Sequence, residues 1–181
     1  MLKGERCFSA KCGMTRRPYV PGQHGPTQRT KLSEYGRQLR EKQKIKKIFG
    51  LSEKGLSRIY GEAERRTGNS AENLLKLIES RLDNMVYRSG IGASRSDSRQ
   101  IVSHGHVKVD GTKLSIPSST IKPGQKISFD NTVKFDTKKV KHSAWIKYHE
   151  KAKEFEYLHM PSREETDLNI NENLVVEYYS R

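Results

Sequence analysis

The residues from Arg81 to Gly111 constrain the fold more than any other part of the sequence. Their hydrophobic pattern changes from the helical repeat of LDNMV to the strict alternation of VKVDG, and a Gly-Ile-Gly break at 90–92 divides the helical part. A change of period from 3.6 residues to two indicates that a helix ends and a strand begins. We therefore expect a helix, a turn, a second helix and a hairpin in close succession.

The second of these helices has a defined start. Ser94 and Asp97 form an S-x-x-D variant of the capping box, a pattern that begins helices. The helix should run from Arg95 to about His104, with Arg95 and Arg99 one turn apart on the same, exposed side. Free backbone N–H groups beside two arginines favour an anion site, and the alternative is an ordinary surface helix with two exposed arginines.

The segment that follows predicts a small antiparallel sheet. Asp110-Gly111 is typical of a two-residue type I′ hairpin turn, and apolar residues alternate on both sides of it, as far as Ile116 on the return strand. A third short strand is expected around 127–129. One or two more should follow, including 155–160.

Helical patterns precede this unit. Three helices are expected, with N-caps at Ser33, Ser52 and Asn69-Ser70. The third should continue to Gly90. Three helices with short links form a small helical domain. The apolar stripe expected for the first helix comprises Tyr35, Leu39, Ile45, Ile48 and Phe49. Its other face, LREKQKIKK, is either a solvated surface or a phosphate-binding one, and the basic segment upstream favours the second.

Basic residues are concentrated toward the N-terminus. Residues 1–60 contain 15 Lys and Arg against four Asp and Glu, whereas residues 150–181 contain four against eight, within a net charge of +14. This asymmetry predicts a polyanionic partner, most simply nucleic acid, for the N-terminal part. Residues 1–31 hold Pro and Gly too often for a stable helix, so they form a disordered tail or an arm that orders on RNA.

The sequence gives little support for membrane spanning, metal binding or catalysis. No apolar run approaches the ~18 residues of a spanning helix, and two cysteines suit a reducing, cytosolic compartment. Cys7-x4-Cys12, with His24 as the nearest addition, is half of a zinc site or a pair of free thiols. Asp83 could serve as a general acid or base, but an ion pair explains it better. We expect no catalytic residue, metal or cofactor.

The C-terminal segment DLNINENLVVEYYSR is ambiguous. LVVEYY has the composition of a strand, whereas Asn169 with Glu172 resembles a helix cap. Ile170, Leu174 and Tyr178 would share one helical face, which favours a helix.

The stretch SRLDNMVYRSGIGASRSDSRQIVSHGHVKVDGTKLSIPSSTIKPGQKISF resembles the RNA-binding module named after the fourth protein of the small ribosomal subunit. That module also occurs in pseudouridine synthases, aminoacyl-tRNA synthetases and heat-shock RNA-binding proteins. The flanks RRPYVPGQHGPTQRTKLSEYGRQLREKQKIKKIFG and DLNINENLVVEYYSR are similar to the ribosomal family itself, in its bacterial or organellar form. Its members usually begin with about twenty further basic residues, some of them with a CxxC that completes a zinc site with the C-x4-C.

The resemblance implies an α+β fold: a helical domain interrupted by an RNA-binding module of two short helices packed on a small antiparallel sheet, preceded by an irregular basic N-terminal arm. The arm would span 1–31, the helical domain 32–80 with 164–181 returning to it, and the module 81–163.

The residues that match the family's RNA-binding positions lie in two groups. In the arm and first helix they are Arg16, Arg17, Gln23, His24, Arg29, Lys31, Tyr35, Arg40, Lys42 and Lys46. In the module they are Arg81, Arg88, Ser94, Arg95, Arg99, Gln100, Ser103 and His104.

The function implied is that of a structural, non-enzymatic ribosomal protein, cytoplasmic and ribosome-bound, with an organellar ribosome as the alternative. It should fold a multi-helix junction in the 5′ domain of small-subunit ribosomal RNA early in assembly. It should contact the fifth small-subunit protein and other ribosomal neighbours, and lie near the channel through which mRNA enters, affecting decoding accuracy. The rivals are an RNA-modifying enzyme, for which the chain has no room, and a regulator that binds its own message.

Overall fold

The computed structural model describes residues 2, 4–27, 31–130, 133, 142–150, 152–166 and 169–180. The helices are a 3-10 turn Gly4–Phe8, α1 Gly13–Arg16, α2 Glu34–Ile48, α3 Glu53–Arg65, α4 Ser70–Glu79, α5 Leu82–Arg88, α6 Arg95–Ser103 and α7 Glu172–Tyr179. The strands are β1 Val107–Val109, β2 Thr112–Lys113, β3 Lys126–Phe129, β4 Ile146–His149 and β5 Glu154–Tyr157. The expected α+β fold class is confirmed.

The N-caps predicted for the first three helices are confirmed. Ser33 Oγ accepts a hydrogen bond from the Gly36 amide at 3.2 Å, and Ser52 Oγ accepts one from Gly55 at 3.1 Å. Asn69 caps α4 in the same way. These side chains satisfy amides that a helix leaves without an internal acceptor, so they define where each helix begins.

The single helix predicted from residue 70 to Gly90 is wrong, because the chain breaks between α4 and α5. The segment 117–121 pairs with the chain at this point: the Leu82 amide donates to the Ser119 carbonyl at 2.8 Å, and the Ile121 amide donates to Ser80 at 2.8 Å. Backbone groups that bond to another segment cannot also continue the i to i−4 ladder. The apolar repeat is uninterrupted across the break, which explains why the sequence conceals it.

The sheet is antiparallel with the order β2-β1-β3-β5-β4. Asp110 and Gly111 have φ angles of 49° and 81°, which confirms the type I′ turn between β1 and β2. The predicted return strand is shorter than expected, since β2 ends at Lys113 and Ile116 is exposed.

The described residues form two hydrophobic cores. One lies among α2, α3, α4 and α7, and its buried residues include Ile45, Leu56, Leu74, Ile78 and Val175. The other lies between the helices α5 and α6 and the sheet, and its buried residues include Leu82, Val102, Ile127, Trp145 and Phe155. We call the parts around them the helical unit and the module. The division of the chain into domains at 31, 80 and 163 stays a prediction.

The C-terminal segment is helical, as predicted, but the buried face of this helix differs from the one predicted from the sequence. Ile170 and Val175 are buried in the helical unit, and Val176 and Tyr179 pack against its core, whereas Leu174 is only partly buried. In the described residues we find no helix of the length and apolarity needed to cross a bilayer.

Candidate RNA interface

The capping box that predicts α6 is present. Ser94 Oγ accepts from the Asp97 amide at 3.3 Å, and Asp97 Oδ2 accepts from the Ala93 amide at 2.9 Å. The reciprocal bond reaches one residue further back than in the usual box, where the acidic residue returns to the N-cap amide. α6 therefore starts at Arg95, with its N-terminus beside the turn that follows α5.

Asp83 holds two of the predicted arginines. Its Oδ1 accepts from Arg81 Nε at 3.1 Å, and its Oδ2 accepts from Arg81 Nη2 at 2.8 Å and from Arg99 Nη1 at 3.0 Å. Asp83 and Arg81 are buried, but the Arg99 side chain is 48% exposed. The carboxylate thus acts as an orienting ion-pair partner, which supports that interpretation over a general acid or base. Arg81 and Arg99 therefore share one carboxylate.

Glu79 organises a second part of the same cluster. It is fully buried and accepts two hydrogen bonds from Arg88, at 2.9 Å from Nε and 2.6 Å from Nη2, and one from the Asn84 amide group. The Arg88 guanidinium also lies 5.2 Å from the centroid of the Trp145 ring. Arg88 is therefore buried between Glu79 of α4 and Trp145 of the module.

Arg95 occupies a different position from the one the sequence predicts. Its guanidinium lies 4.7 Å from the ring centroid of Phe49 and 4.3 Å from that of Tyr87. Its Nε donates to Asn84 Oδ1 at 2.9 Å. The expectation that Arg95 is exposed is wrong, because these two rings cover it, and burial lowers the pKa of its guanidinium. A guanidinium stays charged under such conditions, so Arg95 is a cation fixed between the helical unit and the module.

Together these residues form one network, which we call the arginine cluster: Arg81, Arg88, Arg95 and Arg99, with Glu79, Asp83 and Asn84. Asn84 connects its two carboxylates, since its backbone amide donates to Asp83 at 3.0 Å and its side-chain amide donates to Glu79. Four guanidinium groups against two carboxylates leave a surplus of two positive charges. The cluster is therefore rigid and still attractive to phosphate.

The remaining module positions lie at the other end of α6. Gln100, Ser103 and His104 are exposed, and Ser103 Oγ donates to the Gln100 carbonyl at 3.1 Å. They extend the surface that Arg99 begins, and they leave polar groups available to a ligand.

The basic face predicted for α2 is smaller than the sequence suggests. Lys42 was expected on this face but is only 4% exposed; its Nζ lies 2.6 Å from Glu53 and 4.2 Å from the centroid of the Tyr178 ring. Burial is the largest single effect and opposes the charged form, but the hydrogen bonds and charges of Glu53 and Tyr178 together outweigh it, so the pKa of Lys42 is raised. Lys46 also pairs with Glu53, at 3.2 Å. Lys42 is thus a charged residue inside the packing of α2, α3 and α7.

Other predicted positions on α2 and the arm are open to solvent. Tyr35 was expected in the apolar stripe of α2 but is 49% exposed, while Gln38 is buried in its place. The exposed positions are Arg16, Arg17, Gln23, His24, Lys31, Tyr35 and Arg40. Arg29 lies outside the described residues.

The arm touches the module near α6. A Cβ added to Gly4 would lie 2.4 Å from the Ala93 carbonyl oxygen, so only glycine permits this approach, and its φ of +54° favours glycine as well. The start of the arm is therefore packed beside the turn that leads into Arg95.

Two basic residues of α3 were missed by the sequence analysis. Lys54 and Arg58 are exposed and line a cleft together with Arg81 and Arg99 of the module. A signal was available: the two cations are spaced i, i+4, and Lys54 lies in the first turn of a helix, where the dipole disfavours a positive charge.

No disulfide joins Cys7 to Cys12 in this structure. Hydrogen bonds from the backbone of Met14 and Thr15 lower the pKa of Cys12. Among the described residues, no three His, Cys, Asp or Glu side chains come together as metal ligands would.

Comparison with known proteins identifies the family. The family model described as "Ribosomal protein S4/S9 N-terminal domain" matches residues 1–79. The family model described as "S4 domain" matches residues 80–127. Small ribosomal subunit protein uS4A of Alkaliphilus metalliredigens is 45% identical over 188 residues, and uS4 of Azoarcus sp. is 46% identical over 189 residues. The uS4 protein of Pelotomaculum thermopropionicum is 44% identical over 190 residues, and each alignment covers 99% of this chain and 90% of the relative. The chain belongs to the uS4 family of small ribosomal subunit proteins.

Proposed function

We propose that the chain is a structural protein of the small ribosomal subunit that binds small-subunit ribosomal RNA. The observation that carries the proposal is the arginine cluster, in which two buried carboxylates hold three guanidinium groups and Asn84 holds the fourth, so that a positive surplus remains beside the exposed Arg99. Phosphate contacts supply most of the affinity of such surfaces, and prearranged guanidinium groups match phosphate geometry.

The mechanism is the stabilisation of a folded RNA junction. The exposed cations of the module, α2 and the arm neutralise phosphates where RNA helices converge, and the counterions they displace drive binding. Recognition depends on RNA shape, through phosphates and 2′-hydroxyl groups, because the major groove of A-form RNA is too narrow for side chains to read. The RNA-binding residues predicted from the sequence remain part of this proposal, with Lys42, Arg81 and Arg88 as positioning residues.

The finer assignments rest on family resemblance. The RNA is a multi-helix junction of the 5′ domain, bound early in assembly. The arm, with Arg29 and Lys31, lies near the path by which mRNA enters. The fifth small-subunit protein is a neighbour, and the protein affects decoding accuracy. The chain is ribosome-bound and acts without catalysis.

Co-sedimentation tests this proposal. The tagged chain, expressed in bacterial cells, should migrate with small subunits on a sucrose gradient and remain with them after a moderate-salt wash. A chain that stays at the top of the gradient, while a known ribosomal protein with the same tag co-sediments, would contradict a structural role and favour a free regulator.

A further inference from the structure

The helical unit is attached to the module at the end of α4. Arg81, an extended residue with φ −67° and ψ 142°, leads into α5, and the Ile121 amide of the module donates to the Ser80 carbonyl at 2.8 Å. Each junction residue has two soft dihedral angles, so a unit that is held at one segment can rock about it. A second contact, on another element of the helical unit, is needed to fix the angle between the units.

Arg95 makes such a second contact. It is the first residue of α6, in the module, and its guanidinium lies 4.7 Å from the ring centroid of Phe49, the residue that ends α2. Phe49 is buried in the core of the helical unit. The contact therefore joins the module to the packed interior of the other unit rather than to a surface loop.

The module itself orients the Arg95 guanidinium. Nε donates to Asn84 Oδ1 at 2.9 Å, and the group lies 4.3 Å from the centroid of the Tyr87 ring. Asn84 is buried and donates from its side-chain amide to Glu79, which is buried as well. A planar guanidinium stacks on rings while its N–H groups form directed hydrogen bonds, which an ammonium group does not reproduce. The direction of Arg95 is therefore set from within the module.

Little room for RNA remains beside this guanidinium. Arg95 lines a depression of about 50 Å³ together with Phe49, Ser96 and Arg99. At about 30 Å³ for each water molecule, this space holds one or two waters, too few to make way for a ribose-phosphate unit. Arg99, one turn further along α6, is 48% exposed. The two arginines therefore differ in what they can contact.

We propose that Arg95 is a positioning residue, which holds the helical unit and the module at one angle and raises RNA affinity without contacting phosphate. This inference rests on the proposed RNA-binding function, in which one RNA contacts exposed cations of both units, and it adds Arg95 to the positioning residues. If only a fraction of the molecules has the competent angle, the apparent affinity is reduced by that fraction. Arg95 thus acts through the population of the competent arrangement.

The RNA-binding test compares the same substitution one helical turn apart. Arg95→Gln should bind the 5′-domain junction RNA about fivefold more weakly, which corresponds to roughly one molecule in five keeping the competent angle. Its slope of log Kd against log salt should equal that of the wild type, because no phosphate contact is lost. Arg99→Gln is the matched control and should lower that slope by about one. Circular dichroism checks that both variants are folded.

Arg95→Lys separates position from charge. Lysine keeps the positive charge that a phosphate ligand needs, but it lacks the planar group that contacts Phe49 and the Nε–H that Asn84 accepts. Its affinity for the RNA should therefore stay close to that of Arg95→Gln. Recovery of wild-type affinity in Arg95→Lys would show that charge alone is sufficient, and it would overturn the proposal.

The angle between the units is measured without RNA. Spin labels on Glu64→Cys of α3 and Lys126→Cys of β3, both exposed positions, report the distance between the units in the full chain with its two native cysteines replaced by serine. Pulsed electron paramagnetic resonance should give one narrow distance for the parent chain and for Arg99→Gln. Arg95→Gln should broaden the distribution.

Two results would overturn the positioning role. One is a distance distribution for Arg95→Gln as narrow as that of the parent chain. The other is a salt slope that falls as much in Arg95→Gln as in Arg99→Gln, since that would make Arg95 a phosphate ligand. If the wild-type chain does not bind the RNA, the proposed function fails, while the distance distributions still decide whether Arg95 holds the units.

Discussion

At the scale of single residues, two buried carboxylates determine where the arginines of the module point. Glu79 holds Arg88, and Asp83 holds Arg81 and Arg99. The sequence predicts α6 and its arginines well, since their spacing and cap are local. The sequence does not show that Glu79 is buried. Its partner Arg88 lies on the next helix, and the two side chains meet only when α4 and α5 fold against each other.

Replacing Glu79 with Gln should destabilise the free protein by about 3–5 kcal/mol, because Arg88 would remain buried without its anionic partner. The measurement is urea denaturation followed by circular dichroism. Glu72→Gln is the control, because Glu72 forms an exposed pair with Lys76 at 3.4 Å and should change stability by about 0.5 kcal/mol or less. Similar losses in the two variants would show that the Glu79 pair contributes no more than a surface pair.

Arg95 and Arg99 should respond differently to truncation, although the sequence treats them alike. Arg95→Ala removes a guanidinium packed between Phe49 and Tyr87, and it leaves Asn84 Oδ1 without the hydrogen bond that Arg95 donates. We therefore expect the free energy of unfolding to fall by about 2 kcal/mol. Arg99→Ala should cost about 1 kcal/mol or less, because Arg99 is half-exposed and Arg81 still pairs with Asp83. Chemical denaturation measures the free energy of unfolding of both variants. A larger loss of stability for Arg99→Ala than for Arg95→Ala would contradict the assignment of Arg95 as the packed residue.

At the scale of elements, α2 shows why periodicity predicts a helix better than it predicts the buried face. Its N-cap follows from a local signal, and it is confirmed. Its buried face includes Gln38 and Lys42, because Glu53 of α3 and Tyr178 of α7 cover Lys42. Those partners come from distant parts of the sequence, so nothing within α2 distinguishes Lys42 from the other lysines.

The contact between α2 and α3 should make stability sensitive to acid. Hydrogen bonding to Lys42 lowers the pKa of Glu53 below its ordinary value of 4.5. A carboxyl whose pKa is lowered by folding stabilises the protein above its unfolded pKa, and that contribution is lost as the pH falls through the folded value. The wild type should therefore lose more stability than Glu53→Gln as the pH is lowered from about 5 to about 3.

Urea denaturation at several pH values measures this difference. Glu64→Gln is the control, since Glu64 is an exposed residue of the same helix, and its pH profile should follow that of the wild type. Parallel profiles for the wild type and Glu53→Gln would rule out the contribution of the Lys42 pair.

At the scale of the whole molecule, the two units meet along a boundary rich in cations. Arg95 joins Phe49 of the helical unit to Tyr87 of the module, and the cleft lined by Lys54, Arg58, Arg81 and Arg99 opens beside it. The fold class and the basic arm are predictable from composition, period and caps. The cleft is not predictable in this way, because Lys54 and Arg99 come together only through the packing of the units, which no local pattern specifies.

The salt dependence of RNA binding tests the central claim most directly. The dissociation constant of the wild-type chain for the 5′-domain junction RNA should be measured by filter binding between about 50 and 400 mM monovalent salt. The account predicts that affinity falls steeply and linearly on logarithmic axes, with a slope that corresponds to several phosphate contacts, because displaced counterions drive the binding. A flat line would contradict the account, since it would mean that the cations of the two units do not bind RNA phosphates.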